Sequence, residues 1–184
     1  PVWLVGGALR DAALGRPVTD VDLACVDARG LAVLLARAFK AALVTLDAEN
    51  SVYRLVLPPA RKNTIRQVDV AEIQGRDIRE DLSRRDFTVN AVALELRTDL
   101  PLCIPRKDCL DPRGGLPDLA RGVLRCENER LLKEDPLRLL RAFRVAAGTA
   151  RFDGTVSAGS TFQWAPSSAA ILFTLTPSSG GTLT

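Results

Sequence analysis

The run VGGALRDAALGRPVTDVDLAC, Val5 to Cys25, decides how the rest of the chain is read. Two adjacent glycines, Gly6 and Gly7, close an apolar run, and thirteen residues after Gly7 come Asp20 and Asp22 inside another. Side chains alternate along a strand, so Val21, Leu23 and Cys25 take one face while Asp20, Asp22 and Ala24 take the other. Two carboxylates on one face of an apolar strand are costly unless paired or bound to a cation. Something positive is required beside Asp20 and Asp22.

Residues two apart on a strand stand about 6–7 Å apart. That spacing suits magnesium, which takes one or two carboxylates together with substrate phosphates. Two metals bridged in this way can activate an attacking hydroxyl and steady a departing pyrophosphate. Gly6 and Gly7 add a second element: without side chains, their backbone N–H groups can approach a phosphate closely, at the start of a helix whose N-terminus favours negative charge. Arg10, on that helix, can reach a phosphate oxygen. Each signal alone also fits a structural ion pair or an ordinary turn. The glycines match neither the G-x-G-x-x-G dinucleotide fingerprint nor a Walker A loop.

Outward from this run, PVWLV reads as a strand and ALRDAALG as a short helix stopped at Gly15. LAVLLARAFKAAL reads as a helix preceded by Gly30. SVYRLVL and QVDVAEI are two strands separated by the turn-rich PPARKNTIR. REDLSRRDFTVNAVALEL begins as a polar helix and ends as an apolar strand. DPRGGLPDLARG carries turn chemistry, and NERLLKEDPLRLLRAFRVAA is a strong helical pattern with Asp135 as N-cap and Pro136 at its first position. Five strands and their helices predict an α/β domain with a mixed sheet.

Composition narrows the chemistry. The 184 residues are 47% hydrophobic, enough for a core, with a net charge of +3. No run is long and apolar enough to span a membrane, and no signal peptide opens the chain, which begins at Pro1 and contains no Met; a missing native N-terminus is expected. With no histidine anywhere, the usual general base and the Ser-His-Asp and Cys-His triads are excluded. Cys25, Cys103, Cys109 and Cys126 form no C-x-x-C pair and read as reduced thiols of a cytoplasmic protein. Chemistry must rest on carboxylates, arginines and a metal.

Four segments in order now carry a family resemblance. LVGGALRDAALGRPVTDVDLA resembles the first motif of the class II tRNA nucleotidyltransferase and bacterial poly(A) polymerase family, in the DNA polymerase β-like nucleotidyltransferase superfamily. EDLSRRDFTVNAVAL resembles its second motif, LDPRGGLPDLARGVLR its hinge-like third, and EDPLRLLRAFRVAA its fourth, E-D-x-x-R. The resemblance covers residues 2–147.

It implies a polymerase β-like head of about five strands in a mixed sheet flanked by helices. It implies addition of CMP or AMP, from CTP or ATP, to the 3′ end of tRNA or another RNA. Asp20 and Asp22 would hold the catalytic Mg2+ ions, and Asp69 matches a third carboxylate of the superfamily. Gly6, Gly7 and Arg10 would lie against the triphosphate. Arg85 and Asp86 would hold ribose and phosphates, supported by Asn90. Asp135 and Arg138 would read the base edge, held by Glu134, and Arg141 and Arg144 would extend the stripe toward phosphate and base. No protein partner and no membrane is implied. Poly(A) polymerase and a non-catalytic RNA- or nucleotide-binding head are the rival readings.

The resemblance divides the chain into a head, 1–126, the start of a helical neck, 127–147, and an atypical tail, 148–184. The tail holds only two charged residues, Arg151 and Asp153, among Gly, Ser, Thr, Ala and Pro; it is expected to be disordered or an artefact of a shifted frame, and the chain a catalytic head fragment. Two departures stand out. Gln74 occupies a position where relatives often carry Arg. Only QGRDI, Gln74 to Ile78, joins the strand QVDVAEI to the helix REDLSRRD, where CCA-adding relatives usually carry a flexible loop of a dozen or more residues. Five residues span at most roughly 17 Å and cannot form a lid over the base. The resemblance links such shortening to enzymes that add the two cytidines alone.

Overall fold

A computed structural model describes residues 1–59, 65–100 and 105–126, together with Arg138, Arg141, Ala142, Arg144 and Val145 and the backbone of Thr161–Gln163. The chain forms two compact units, one of Pro1–Ser83 with Asn90–Pro112, the other of Arg84–Val89 with Arg113–Thr184.

The first unit is a six-stranded mixed sheet in the order β3-β4-β5-β2-β1-β6. Its strands are β1 (Val2–Val5), β2 (Asp20–Cys25), β3 (Ala42–Asp47), β4 (Val52–Val56), β5 (Gln67–Glu72) and β6 (Ala93–Glu95). Its helices are α1 (Gly7–Ala13), α2 (Ala28–Phe39) and α3 (Ile78–Ser83). Only the β2–β5 pair is parallel. The alternation read from the sequence sorts the two faces. Leu23, Cys25, Leu55, Val68 and Val70 pack with Ala28 and Ala32 of α2 on one side. Val5, Ala24 and Ala93 pack with Ala91 and with Ile78 and Leu82 of α3 on the other. Asp20, Asp22 and Asp69 share that second face, whereas Glu72 of β5 lies in register with Cys25 on the first.

Three expectations need correction. LAVLLARAFKAAL is not helical to its end: the pattern breaks inside itself, and the sheet of about five strands gains an edge strand to make six. Lys40 turns left-handed at φ 52° and ends α2, and Ala42–Asp47 leaves as an edge strand whose Leu43, Val44 and Leu46 are exposed. Nor does α2 wait for Gly30: it starts at Ala28, capped by Asp27, whose carboxylate accepts the Gly30 N–H at 2.9 Å. Glu72, the last residue of β5, accepts from the Asp27 and Ala28 N–H groups at 2.9 and 2.8 Å. Those donors have no partner within the helix, so the acid ties α2 to the sheet. Finally, Gly115–Ala120, read as turn chemistry, is a helix, α4; Gly114 at φ 68° supplies the left-handed entry that a side chain disfavours.

In the second unit, α4 leads into β7 (Val123–Arg125), which pairs antiparallel with β8 (Thr161–Gln163). Three residues of the sequence-defined tail are therefore strand; the rest of 148–184 lies outside the described residues. Phe87, Val89 and Leu124 are buried. Asp118, 1% exposed, accepts from Thr88 Oγ1 at 2.8 Å, Arg121 at 2.9 Å and both Nε and Nη2 of Arg125 at 3.1 and 3.0 Å. Burial pushes its carboxyl up, but these hydrogen bonds outweigh that and hold it below the ordinary carboxylate range.

Among the described residues Cys25, Cys109 and Cys126 are free thiols. Burial first, then the carboxylates of Glu72 and Asp27, raises the Cys25 thiol.

Candidate active site

The register of the sheet assembles the site in the first unit. Asp22 faces Asp69 across the parallel pair, Asp69 faces Arg54 on β4, and Asp22 faces Val5 on β1. Partners in register share a face of the sheet. One row therefore reads Arg54, Asp69, Asp22, Val5 across four adjacent strands. Asp20 lies one alternation further along β2, exposed at the strand's start, while Asp22 is half-buried.

A positive group on the same face is Arg54, whose direct partner is Asp69. Its Nε and Nη2 donate to the two oxygens of Asp69 at 2.8 and 2.7 Å. The Asp69 hydrogen bond, against a smaller opposing effect of burial, raises the Arg54 pKa, and the charges of Asp69, Asp20 and Asp22 add to it. Three carboxylates thus act on one cation. Sequence reasoning missed Arg54, although a signal existed: in VYRLV it alternates with Tyr53 and Leu55, which face the core, so it shares the face of the acids.

Because Val5 stands opposite Asp22, the turn that follows it runs beside the Asp20 end of β2. Gly6 adopts φ 70°, ψ −133°, a conformation essentially restricted to glycine, and its N–H donates to the Val92 carbonyl at 3.3 Å. Arg10 folds back over Gly7: a Cβ placed there would meet Arg10 Nη2 at 3.4 Å. Asp11 fixes Arg10 through Nε and Nη2, both at 3.0 Å, and Asn90 Oδ1 accepts from Nη1 at 2.7 Å. Two of the five guanidinium donors are left over by these three bonds, enough for a phosphate oxygen. The structure brings Asn90 of the second motif to Arg10 of the first, eighty residues away in sequence.

Asp20, Asp22 and Asp69 do not form a ready cluster. Among the described residues, no group of three or more Cys, Asp or Glu side chains is arranged to hold a metal ion. Both Asp69 oxygens are engaged by Arg54, so Asp69 can join a metal only by sharing or surrendering that pair. The donor set still fits a hard divalent cation: all the acids are carboxylates, and their field already stabilises a positive charge.

In the second unit, Asp86 is buried and its Oδ1 accepts the Phe87 N–H at 2.9 Å. Arg141 Nε lies 3.2 Å from Asp86 Oδ2. Arg141, expected at phosphate and base, thus has a protein carboxylate for partner. Arg85, half-buried, accepts from Arg113 at its carbonyl, 2.7 Å. Arg138 is helical and half-buried, and Arg144 helical and exposed. Glu134 and Asp135 lie outside the described residues.

The short connection Gln74–Ile78 is pinned at each step. The Gln74 N–H donates to buried Asp81 at 3.1 Å, the Arg76 N–H to Glu80 at 2.9 Å, and the Glu80 N–H to Asp77 at 2.9 Å. Gly75 sits at φ 99°, where a Cβ would meet Glu80 Cγ at 2.7 Å. The Gln74 side chain donates to the Glu72 carbonyl at 3.3 Å, closing the end of β5.

A six-stranded mixed sheet carrying D-x-D beside a glycine turn and an arginine defines a nucleotidyltransferase-type head. The chain belongs to the poly A polymerase head domain family, whose model matches residues 2–125. It is 38% identical over 146 residues to the CC-adding tRNA nucleotidyltransferase of Geobacter sulfurreducens, covering 79% of this chain and 31% of that protein. It is 39% identical over 147 residues to the enzyme of the same name from Synechocystis sp., covering 78% and 32%. The solved complex of a CCA-adding enzyme with ATP superposes with a TM-score of 0.64 at 32% identity, covering 80% of this chain and 34% of that one. Relatives named A-adding tRNA nucleotidyltransferase and multifunctional CCA protein are also similar. The chain spans about a third of the length of these relatives.

Proposed function

We propose that this head transfers a nucleoside monophosphate from CTP to the 3′ hydroxyl of tRNA, releasing pyrophosphate. The observation that carries the reading is the placement of Asp20 and Asp22 on one sheet face beside the Gly6–Gly7 turn and the clamped Arg10. Asp20 and Asp22 would hold Mg2+, with Asp69 across from Asp22. A divalent metal so held supplies Lewis-acid polarisation of the phosphoryl oxygen and lowers the pKa of the attacking hydroxyl. The Gly6–Gly7 backbone lets the triphosphate approach closely, and Arg10, prepositioned by Asp11 and Asn90, offers its remaining donors to a phosphate oxygen. In the second unit, Arg85 and Asp86 act on ribose and phosphates, and Arg141 steadies Asp86. Arg138 and Asp135 would read the base, with Glu134 in support, and Arg144 would add positive charge near it.

The pinned Gln74–Ile78 connection favours addition of C without efficient addition of the terminal A. Three local carboxylate bonds hold it to α3, and its length leaves no segment to reach a base. The names among the relatives include CC-adding and A-adding tRNA nucleotidyltransferases and a multifunctional CCA protein, so the product is the deciding observation. The protein, alone and grafted in place of the Geobacter head, is incubated with tRNA ending before CCA, CTP, ATP and Mg2+. Products ending at CC are expected; complete CCA ends would refute the C-only reading, and poly(A) tails would replace it with poly(A) polymerase activity.

Base reading has its own test. Arg138→Ala is expected to relax the preference for C over U by about tenfold or more, while triphosphate affinity changes less, because the phosphates are held by other residues. Selectivity that survives the change would remove Arg138 from base recognition.

A further inference from the structure

Arg54 belongs to none of the four motifs, yet the sheet places it in register with Asp69 and, through Asp69, with Asp22. Its planar fork takes both Asp69 oxygens, at 2.8 and 2.7 Å, a geometry that lysine cannot reproduce. The pair is only partly covered, with side-chain exposures of 34% for Arg54 and 20% for Asp69. We propose that Arg54 is a positioning residue of the carboxylate centre: it fixes Asp69 and, as a resident positive charge, sets how tightly Asp20 and Asp22 take up a divalent cation.

The inference rests on the metal-holding role of Asp20 and Asp22. Two physical effects oppose each other. Arg54 makes three neighbouring acids tolerable without metal, because like charges otherwise repel. The same charge repels an arriving dication and withholds Asp69 from it. Arg54 therefore weakens metal binding while ordering the centre, which favours release after each transfer. Charge and fork separate by substitution. Arg54→Gln removes the charge; Arg54→Lys keeps the charge and loses the fork.

Free Mn2+ is measured by electron paramagnetic resonance during titration of the 184-residue chain in the presence of CTP. Arg54→Gln is expected to bind Mn2+ about tenfold more tightly, the size of one unit charge acting on a dication at several ångströms in a solvated setting. Arg54→Lys is expected to stay within about threefold of wild type. The paired variant Arg54→Gln/Asp69→Asn, which removes one charge of each sign, is expected to return to near wild-type affinity and to bind about tenfold more tightly than Asp69→Asn alone; equal binding by these two overturns the proposal even if the single Gln variant does not fold. Unchanged or weaker Mn2+ binding by Arg54→Gln, with only a lowered melting temperature, would overturn the proposal and leave Arg54 a structural cross-strand pair. If wild type takes up no Mn2+ that Asp22→Asn abolishes, the metal-holding reading itself fails, and this inference with it.

Discussion

Asp22→Asn is expected to reduce nucleotide incorporation by roughly a thousandfold or more while leaving the melting temperature within a few degrees of wild type. Asn is isosteric with Asp and keeps one oxygen, so the β1–β2–β5 register is undisturbed. What it loses is the negative charge that stands opposite Asp69 and beside the Gly6–Gly7 turn. Asp22 is half-buried, and its neighbours Leu23 and Ala24 carry the packing on the two faces. Circular dichroism and single-nucleotide addition to tRNA, measured on the same preparation, separate the two effects. Near-normal addition by Asp22→Asn would remove the carboxylate pair from the chemistry.

Asp118→Asn is expected to cost about 2–3 kcal/mol of stability, the size expected when a buried, charge-assisted hydrogen-bond network loses its anion. For a chain of this size that lowers the melting temperature by roughly 5–10 °C. Arg121 and Arg125 keep access to water, with side-chain exposures of 62% and 40%, which holds the penalty near the lower end for a buried pair. The pH dependence follows from the sign of the shift. The folded carboxyl titrates below its unfolded value of about 3.9, so its contribution is full above that pH. It is lost as pH falls from there through the folded pKa. Thermal melts of wild type and Asp118→Asn between pH 7 and pH 3 should therefore converge at the acid end. Curves that stay parallel would show that the Asp118 charge does not stabilise the fold.

Much of the first unit was legible because the apolar runs are short and a period-two pattern survives where polar residues interrupt them. DVDLA, VYRLV and QVDVAE alternate around their polar residues, while VWLV is apolar throughout and packs on both faces. The edge strand Ala42–Asp47 was hidden for a physical reason. Edge strands need no buried face, and an apolar run continuing from α2 gives no period change until Lys40 turns the chain. The helix Gly115–Ala120 was hidden by the glycines and proline that start it. The need for a cation beside Asp20 and Asp22 was visible in the sequence; the Arg54–Asp69 pair on the same face was only half visible, since VYRLV places Arg54 opposite the core but the pairing depends on β4 and β2 flanking the same strand, β5. The role of Asp118 was equally closed to sequence reading, since Thr88 joins it from thirty residues away.

Paramagnetic broadening tests the central claim most directly. Mn2+ at low stoichiometry is added to the 15N-labelled chain with CTP, and amide signals are followed residue by residue. The account predicts that amides of Thr19–Leu23, of Gly6 and Gly7 and of the strand around Asp69 vanish first, while those of α2, across the sheet, persist. The same titration of Asp22→Asn should leave them all. Broadening that begins elsewhere, or that is the same in both proteins, would contradict a metal-assisted nucleotide site at Asp20 and Asp22.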